Sequence, residues 1–387
     1  MSSLPLPSAA AQQHSQQLCE LIQHDIALQG GWIPFSRFME LALYAPALGY
    51  YSAGASKFGT AGDFTTAPEM SALFGRTLAR QLVEIMTLST PHILEFGAGS
   101  GKLALDILTE LERLEQLPAT YSILEVSADL RQRQQALLNK HLPHLANRVQ
   151  WLDTLPAQIS GAVIANEVLD ALPVHLLRWK NFQILERGVS SKGSSKGSNF
   201  VWQERLLETQ SLLELAQQIS VPDDYLSEIS LTARGLLSSL CDRLSQGAML
   251  FIDYGFGASE YYHPQRNTGT LMCHYRHHAH DDPFFLPGLQ DITAHVDFTA
   301  VAESAIDHGA NLLGYTTQAH FLLNGGITDL ISDVSPDNLR EYLPLSAQIQ
   351  KLTSPAEMGE LFKVIALGKG IDAPLRNFLT GDKSRLL

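Results

Sequence analysis

The chain has few cysteines, few positive charges and no long run of apolar residues. Its 387 residues include 3 cysteines, Cys19, Cys241 and Cys273, which are far apart and odd in number; this excludes a disulfide framework and a tetracysteine zinc site. Lysine and arginine total 27 against 40 aspartates and glutamates, so the formal net charge is −13. This balance disfavours nucleic acid as a general partner and favours basic peptides or proteins.

The missing apolar runs exclude other classes. No segment approaches the roughly 18 uninterrupted apolar residues of a membrane helix, and the first residues resemble neither a secretory signal nor an arginine-rich transit peptide. Hydrophobic residues make up 45% and charged residues 17%, which argues against a disordered chain. We therefore expect a cytoplasmic enzyme, free of membrane contact, with one large domain or two smaller ones.

A glycine-rich turn is the most informative segment that is present. An apolar strand is predicted over residues 92–96 and a helix over residues 102–114. The turn between them contains three glycines at alternate positions: Gly97, Gly99 and Gly101. Glycine allows close backbone approach and unusual φ, and the N-terminus of the helix directs free amides at a ligand. The turn is therefore predicted to hold a cofactor.

Three glycine loops compete for this turn. The dinucleotide pattern needs glycine or alanine where the chain has Lys102, and the phosphate loop fails at both Phe96 and Leu103. The pattern that remains is Glu95 followed by the three glycines. It resembles motif I of class I S-adenosylmethionine methyltransferases, whose cofactor is held by its amino-acid end and its ribose.

Acidic residues follow the next two predicted strands. Glu125 ends residues 121–125, about one βαβ unit after the glycines, where a Rossmann-like sheet places the acid that binds ribose hydroxyls. Asp153 follows residues 149–152 and, in the methyltransferase interpretation, faces the adenine amine. The alternative for each acid is that it caps the N-terminus of the next helix.

The order of segments predicts an α/β protein. We expect the class I methyltransferase Rossmann-like fold, with a seven-stranded, mostly parallel sheet and an antiparallel last strand formed by the candidates at 312–317 and 361–367. Residues 1–88 form an N-terminal helical region with a glycine-rich lid loop, and residues 89–387 form the methyltransferase domain. Within it, residues 176–229 are interpreted as an inserted two-stranded β-arm and a helical segment.

Further segments carry a family resemblance. The most specific are residues 62–69, 166–173, 253–255 and 291–298. With motif I, they make the chain similar to the MidA family of class I methyltransferases, which includes the mitochondrial arginine methyltransferase that assists complex I assembly. The resemblance covers nearly the whole chain. It implies S-adenosyl-L-methionine as cofactor and, less directly, a protein arginine side chain as acceptor.

Carboxylates at predicted strand ends suit an arginine acceptor, because they can orient a guanidinium that stays charged at neutral pH. Glu167 and Asp170, beyond the fourth core strand, are the predicted acceptor clamp, with Asn166 nearer the cofactor. Asp253 and Tyr254, beyond the fifth strand, are predicted to contact substrate. The alternative is that Asn166 and Asp170 cap a following helix.

Residues in the remaining loops are harder to assign. The histidines between residues 273 and 280 lack the spacing of known zinc motifs, so no metal is predicted. His295 is interpreted either as a general base or as a structural histidine beside Asp297. Asp63 either helps to close the site or organises a turn with Gly62.

The leading function is therefore an S-adenosylmethionine-dependent methyltransferase that modifies a protein side chain, with arginine preferred. A binding protein that assists assembly without turnover and a small-molecule methyltransferase remain alternatives, since fold alone does not settle function. The sequence also leaves a homodimer open.

Overall fold

The computed structural model describes residues 4–53, 66–192, 200–332 and 334–387. Contacts divide the chain into two units. The first takes the described residues within Met1–Phe64, Asp170–Gly235 and Ala258–His295, and the second takes those within Thr65–Leu169, Leu236–Gly257 and Val296–Leu387. Across the described ranges, no helix combines the length and apolar character needed to span a bilayer.

The secondary structure alternates between helices and strands. The helices are α1 (Ala9–Leu28), α2 (Phe35–Tyr44), α3 (Ala67–Met70), α4 (Ala72–Leu88), α5 (Lys102–Arg113), α6 (Ala128–His141), α7 (Gln210–Gln218), α8 (Leu231–Arg243), α9 (Ala258–Tyr261), α10 (Phe298–Asp307), α11 (Gln318–Asn324) and α12 (Leu339–Thr353). The strands are β1 (Ile33–Pro34), β2 (His92–Phe96), β3 (Thr120–Leu124), β4 (Val149–Leu152), β5 (Ile159–Asn166), β6 (His175–Lys180), β7 (Gln183–Ser191), β8 (Phe200–Leu206), β9 (Tyr225–Ile229), β10 (Leu244–Phe256), β11 (Met272–Tyr275), β12 (His278–His280), β13 (Asp291–Thr293), β14 (Val296–Asp297), β15 (Asn311–Thr317) and β16 (Phe362–Lys369).

A mixed sheet forms the centre of the second unit. Its main path runs in the order β15-β16-β10-β5-β2-β3-β4, and β14 pairs with β10. Every step from β4 to β10 is parallel, whereas β16 is antiparallel to both β10 and β15. The predicted α/β methyltransferase fold with an antiparallel last strand is therefore confirmed, and short β14 is an addition that the sequence pattern did not indicate.

Helices cover this sheet with apolar faces. On α5, the residues Leu103, Ile107 and Leu111 recur at helical spacing and are buried in the same core as the inner strands. Helix α4 packs on α5 and contributes Leu78 and Leu82 to that core. This contact groups α4 with the sheet, although the sequence division placed it in the region before residue 88.

The first unit contains a second sheet, ordered β1-β7-β6-β9 with β8 on β7. The prediction of a two-stranded arm is wrong here, because residues 176–188 fold into the β6–β7 hairpin instead of one strand. The hairpin turns at Asn181 and Phe182, whose φ values are 52° and 62°. Two consecutive left-handed residues match the twist of a two-residue hairpin turn. Such turns usually contain glycine, which makes them recognisable in a sequence, but this one does not.

A third, three-stranded sheet of the first unit has the order β12-β11-β13. The sequence interpretation treated this segment as a long loop, and that was wrong. The β11–β12 hairpin again turns without glycine, through Arg276 and His277 at φ values of 48° and 63°. Its strands are short, so their alternation was too brief to be read as strand.

Candidate functional site

The carboxyl ends of the parallel strands bring the predicted cofactor residues to one edge of the sheet. In register, Phe96 lies beside both Leu124 and Ala165, and Leu124 lies beside Leu152. The residues that follow these positions are the glycine turn, Glu125, Asn166 and Asp153. In open α/β sheets, ligands bind outside the carboxyl ends of the strands. The sheet register therefore groups residues that are up to about seventy positions apart in sequence.

The glycine turn has the backbone that its pattern predicted. Gly97, Gly99 and Gly101 have φ values of 59°, 53° and 85°, which side-chain-bearing residues adopt at a cost. Gly101 directly precedes α5 and is its N-cap residue, in the left-handed conformation. The N–H of Gly97 donates to the Leu124 carbonyl over 3.1 Å, which fastens the turn to the end of β3. At its three glycines the turn thus exposes backbone without side chains, directly before the N-terminus of α5.

Glu125 is held by two donors. Its Oε1 accepts from the Ser127 N–H at 2.9 Å, and its Oε2 accepts from Gln134 Nε2 at 3.0 Å. Burial raises the pKa of Glu125, and these two hydrogen bonds oppose that rise. The helix-cap alternative fails, because Ser127 caps α6 by accepting from the Leu130 N–H. Glu125 is therefore a fixed, buried carboxyl at the end of β3.

Gln134 links the segments that follow β2 and β3 to strand β4, and it was not singled out from the sequence. Its Nε2 also donates to the Gly99 carbonyl at 2.9 Å, and its Oε1 accepts from Trp151 Nε1 at 2.9 Å. The signal was present, because Gln134 falls four residues from both Leu130 and Leu138, on the buried face of α6. A polar residue in an apolar stripe marks a position that needs a hydrogen-bond partner.

Glu95 lies inside β2 and is only 2% exposed. Its Oε2 accepts from the Tyr121 hydroxyl at 2.8 Å. Burial raises the pKa of Glu95 from its ordinary value of 4.5 to about 8, with the Tyr121 hydrogen bond opposing the shift and the Glu125 charge adding to it. The carboxyl is therefore mostly protonated at neutral pH.

Asp153 follows β4 and is bound by Arg131. The Arg131 Nη2 donates to Asp153 Oδ1 at 2.7 Å and to the carbonyls of Glu125 and Leu152 at 3.2 and 3.1 Å. No helix follows β4 before β5, so the helix-cap alternative fails for Asp153. One guanidinium thus holds the ends of β3 and β4 together, although Arg131 was not a predicted site residue.

Asn166 ends β5 and carries an unsatisfied acceptor. Its Nδ2 donates to Glu167 Oε1 at 3.2 Å, while its Oδ1 is buried and has no hydrogen-bond partner among the described residues. Buried polar atoms usually have partners, so such an acceptor indicates a donor supplied from outside the chain. No helix follows in residues 167–174, which excludes the cap alternative for Asn166.

Glu167 has a strained backbone. Its φ is 53°, and its N–H donates to the Ile252 carbonyl at 2.9 Å, which ties the end of β5 to β10. A non-glycine residue in this region costs roughly 1–2 kcal/mol, and such strain concentrates at functional sites. The chain therefore maintains Glu167 in this conformation at some expense in stability.

Asp253 anchors the loop after β5. It is 1% exposed, its Oδ2 accepts from the Leu169 N–H at 3.0 Å and its Oδ1 accepts from the Tyr254 N–H at 2.9 Å. The Tyr254 ring packs edge-on against Phe362 with ring centroids 5.5 Å apart. Both residues therefore have observed structural contacts, and their contact with substrate stays a prediction.

Two of the other predicted residues, Asp170 and His295, belong to the first unit. Asp170 is buried, and its carbonyl accepts from the Ala294 N–H at 3.0 Å, next to His295. The His295 N–H donates to Thr270 Oγ1 at 3.0 Å. Asp170 and His295 are thus brought together within this unit, whereas Asp63 lies outside the described residues.

Nearby, the Tyr51 hydroxyl lies 2.9 Å from both carboxylate oxygens of Asp291. Burial raises the pKa of Tyr51, as do the charges of Asp291 and Asp170. Within the described ranges, no group of three or more histidine, cysteine, aspartate or glutamate side chains could hold a metal ion. The histidines of the β11–β12 hairpin accordingly form no such group.

The edge of the sheet in the second unit fits S-adenosylmethionine. The left-handed glycines leave the turn open to close approach, Glu125 offers a fixed carboxyl for ribose hydroxyls, and Asn166 Oδ1 lacks the donor that an ammonium group would give. These are features of the described residues themselves and do not depend on any relative.

Comparison with known proteins agrees with this fit. A family profile described as S-adenosyl-L-methionine-dependent methyltransferase matches residues 77–316, more than half of the chain. A COG1565 superfamily member from Burkholderia thailandensis, solved bound to S-adenosyl-homocysteine, superimposes with a TM-score of 0.95 at 48% identity and 100% coverage of both chains.

Curated relatives match over similar lengths. The mitochondrial protein arginine methyltransferase NDUFAF7 homolog of Drosophila melanogaster is 30% identical over 95% of this chain and 88% of its own length. Mitochondrial protein arginine methyltransferase NDUFAF7 of Mus musculus is 30% identical over 87% of this chain and 81% of its own. The chain therefore belongs to the MidA-type family of S-adenosyl-L-methionine-dependent methyltransferases, as its motifs predicted.

Proposed function

We propose that this methyltransferase modifies an arginine side chain of a protein substrate. The observation that carries the proposal is that its curated relatives in Drosophila melanogaster and Mus musculus, which match most of the chain, are both named protein arginine methyltransferases. The net charge of −13 supports it, because an acidic protein attracts an arginine-bearing partner. A homodimer and a cytoplasmic location stay predictions, and the relatives just named are mitochondrial.

Cofactor binding is assigned to the sheet edge of the second unit. Bound S-adenosylmethionine supplies a methyl group on a positively charged sulfur. We assign its ribose hydroxyls to Glu125, its amino group to Asn166 Oδ1 and its adenine amine to Asp153. The glycine turn gives it room, and Glu95, the motif I acid on β2, precedes that turn and bonds to Tyr121 on β3.

Acceptor binding is assigned first to Glu167. Removing a proton from free arginine at pH 7 costs on the order of 8 kcal/mol, so the guanidinium binds in its charged form. A carboxylate can pair with two of its N–H groups and fix the direction of the third nitrogen. Glu167 also has a φ of 53° directly after β5, and backbone strain at the end of a strand supports this role because such strain concentrates at functional sites.

The remaining predicted residues keep their proposed parts. Asp170 is the second carboxylate of the acceptor clamp, His295 is the base that takes the proton lost after transfer, and Asp63 helps to close the site. Asp253 and Tyr254 contact substrate, and Asp253 also holds the loop that carries Glu167, through the Leu169 N–H.

Radiolabelled S-adenosylmethionine tests the function directly. The purified protein is incubated with a cell lysate, and the labelled product is hydrolysed and separated by amino-acid analysis. We expect label in methylated arginine of one or a few proteins. Label in other amino acids would contradict the acceptor, label confined to small molecules would favour a small-molecule methyltransferase, and cofactor binding without any transfer would favour an assembly factor.

Variants then test the acceptor residue. The protein identified by its label is then prepared in unmethylated form and used as substrate. Glu167→Gln should lower kcat for it by about a hundredfold, because a misplaced nucleophile loses most of the benefit of positioning. The exposed Glu208→Gln, which makes the same chemical change elsewhere, should have no effect. An undiminished kcat in Glu167→Gln would remove Glu167 from the acceptor site.

A further inference from the structure

We propose that Gln134 is a positioning residue for the cofactor, because its single amide fixes the carboxylate of Glu125 relative to the glycine turn. The inference rests on the proposed function, since it takes Glu125 as the acceptor of the ribose hydroxyls. Gln134 lies on α6 and is 0% exposed. It is separate from motif I and from every residue that the sequence pattern assigned to the site.

The hydrogen bonds of Gln134 use each kind of atom in its amide. The Nε2 group has two hydrogens and donates to two acceptors, the Gly99 carbonyl at 2.9 Å and Glu125 Oε2 at 3.0 Å. The Oε1 atom accepts from Trp151 Nε1 at 2.9 Å. One side chain therefore joins the segments that follow β2 and β3 to β4 itself. If the amide were flipped, Oε1 would face the two acceptors and Nε2 would face the Trp151 N–H donor, and all three hydrogen bonds would be lost.

Gln134 also defines the space beneath the glycine turn. A Cβ atom on Gly101 would lie 3.2 Å from both Cα and Cγ of Gln134. The side chain thus packs directly under the last glycine while it bonds to the middle one. The position of the turn and that of the Glu125 carboxyl are therefore set by the same group.

The chemistry explains why an amide is needed at this buried position. Leucines occupy the neighbouring positions on the same face, Leu130 and Leu138, and a third leucine would fill the space without a desolvation cost. Ser127 N–H and Gln134 Nε2 each take one carboxylate oxygen of Glu125, which fixes the plane of the group. A carboxylate oxygen that accepts one such bond can also accept from a ribose hydroxyl. A carboxylate held in advance binds the diol with less ordering cost.

The test is a comparison of two ligands. Calorimetry measures the affinity of the full-length protein for S-adenosyl-homocysteine and for its 2′-deoxyribose analogue. Wild-type protein should prefer the ribose form. Gln134→Met, similar in size but without the amide, should lower this preference about tenfold, because the carboxylate is no longer oriented for the diol. A purely structural loss would weaken both ligands equally and leave the ratio unchanged.

The matched control is Gln132→Met, the same change at an exposed position of α6, which should keep the wild-type ratio. If wild-type protein itself fails to distinguish the two ligands, the ribose role of Glu125 fails and the inference fails with it. If wild-type protein distinguishes them and Gln134→Met keeps the same ratio, the inference about Gln134 alone is overturned.

A second variant keeps the inference testable if Gln134→Met does not fold. Gln134→Glu has the same shape, but when ionised it places a second negative charge beside Glu125 and the Gly99 carbonyl. Its affinity for S-adenosyl-homocysteine should therefore fall as pH rises from 6 to 8, by about tenfold more than in wild-type protein or Gln132→Glu. Parallel pH profiles of the three proteins would overturn the proposed contact.

Discussion

Replacing Glu95 by glutamine should stabilise the folded protein at neutral pH. Glu95 is 2% exposed, and burial raises its pKa from 4.5 to about 8. At pH 7 the folded chain therefore holds the carboxyl mostly protonated, while the unfolded chain ionises it. Glutamine is uncharged in both states, and its amide oxygen can still accept from the Tyr121 hydroxyl, as Glu95 Oε2 does.

The sign and size follow from this difference in pKa. Because the folded value lies above the unfolded one, the contribution of Glu95 to stability is fully present below pH 4.5 and is lost as pH rises to about 8. Each unit of pKa difference corresponds to about 1.4 kcal/mol. Between pH 5 and pH 7 the free energy of unfolding of wild-type protein should therefore fall by about 2.5 kcal/mol relative to Glu95→Gln.

Urea unfolding at a series of pH values measures this difference directly. Comparing two pH values cancels any effect of the substitution that does not depend on pH, such as a weaker hydrogen bond to Tyr121. The exposed Glu208→Gln serves as control and should follow wild-type protein at every pH. Parallel stability curves for wild-type protein and Glu95→Gln would refute the reasoning, because they would mean that Glu95 titrates alike in both states.

Three further substitutions probe the same edge of the sheet. Gly101→Ala should cost about 1–2 kcal/mol in urea unfolding and weaken S-adenosyl-homocysteine binding, since φ is 85°; a variant as stable as wild-type protein would contradict this. Arg131→Met should loosen the ends of β3 and β4 and lower that affinity, measured by calorimetry, and unchanged affinity would count against it. Asp253→Ala should cost about 1–3 kcal/mol by leaving the buried Leu169 N–H unbonded, and thermal unfolding at the wild-type temperature would exclude that role.

The core of the fold was predictable because its signals are local. Strands β2 and β4 lie where apolar runs end in a glycine turn or an acidic residue, and α5 begins directly after Gly101. Parallel strands place their carboxyl ends at one edge, so the order of strands alone was enough to group the glycine turn with Glu125 and Asn166. Residues Phe96, Lys102 and Leu103 excluded the dinucleotide and phosphate loops, and the resemblance of the remaining pattern to motif I supplied the cofactor.

Turn chemistry set the first limit of prediction. The two added hairpins turn at Asn181 with Phe182 and at Arg276 with His277, and none of these residues is glycine. A turn with two left-handed side-chain-bearing residues is strained unless the strands on both sides stabilise it, so its sequence gives little warning. Without a turn signal, the sequence does not show which strand pairs with which.

Long-range polar contacts set the second limit. Gln134 reaches Gly99 and Trp151, which are 35 and 17 positions away, and Arg131 reaches Asp153 across 22. The sequence marks such residues only as polar positions at a buried spacing, and several partners could satisfy each. The register of the sheet decides among them, which is why these positioning residues became visible only with the structure.

Of the two buried carboxyls at this edge, Glu125 affects the ionisation of Glu95. Glu95 pairs in register with Ile123 on β3, two positions before Glu125, and the Glu125 charge contributes to the raised pKa of Glu95. Negative charges in a buried setting repel, so a charge on Glu125 favours the protonated form of Glu95. Donors from Ser127 and Gln134 favour the charged form at Glu125, whereas Glu95 has the weaker phenolic donor of Tyr121. These donors therefore stabilise a negative charge on the carboxyl that we assign to the ribose. Glu95→Gln should preserve S-adenosyl-homocysteine binding, while Glu125→Gln should weaken it.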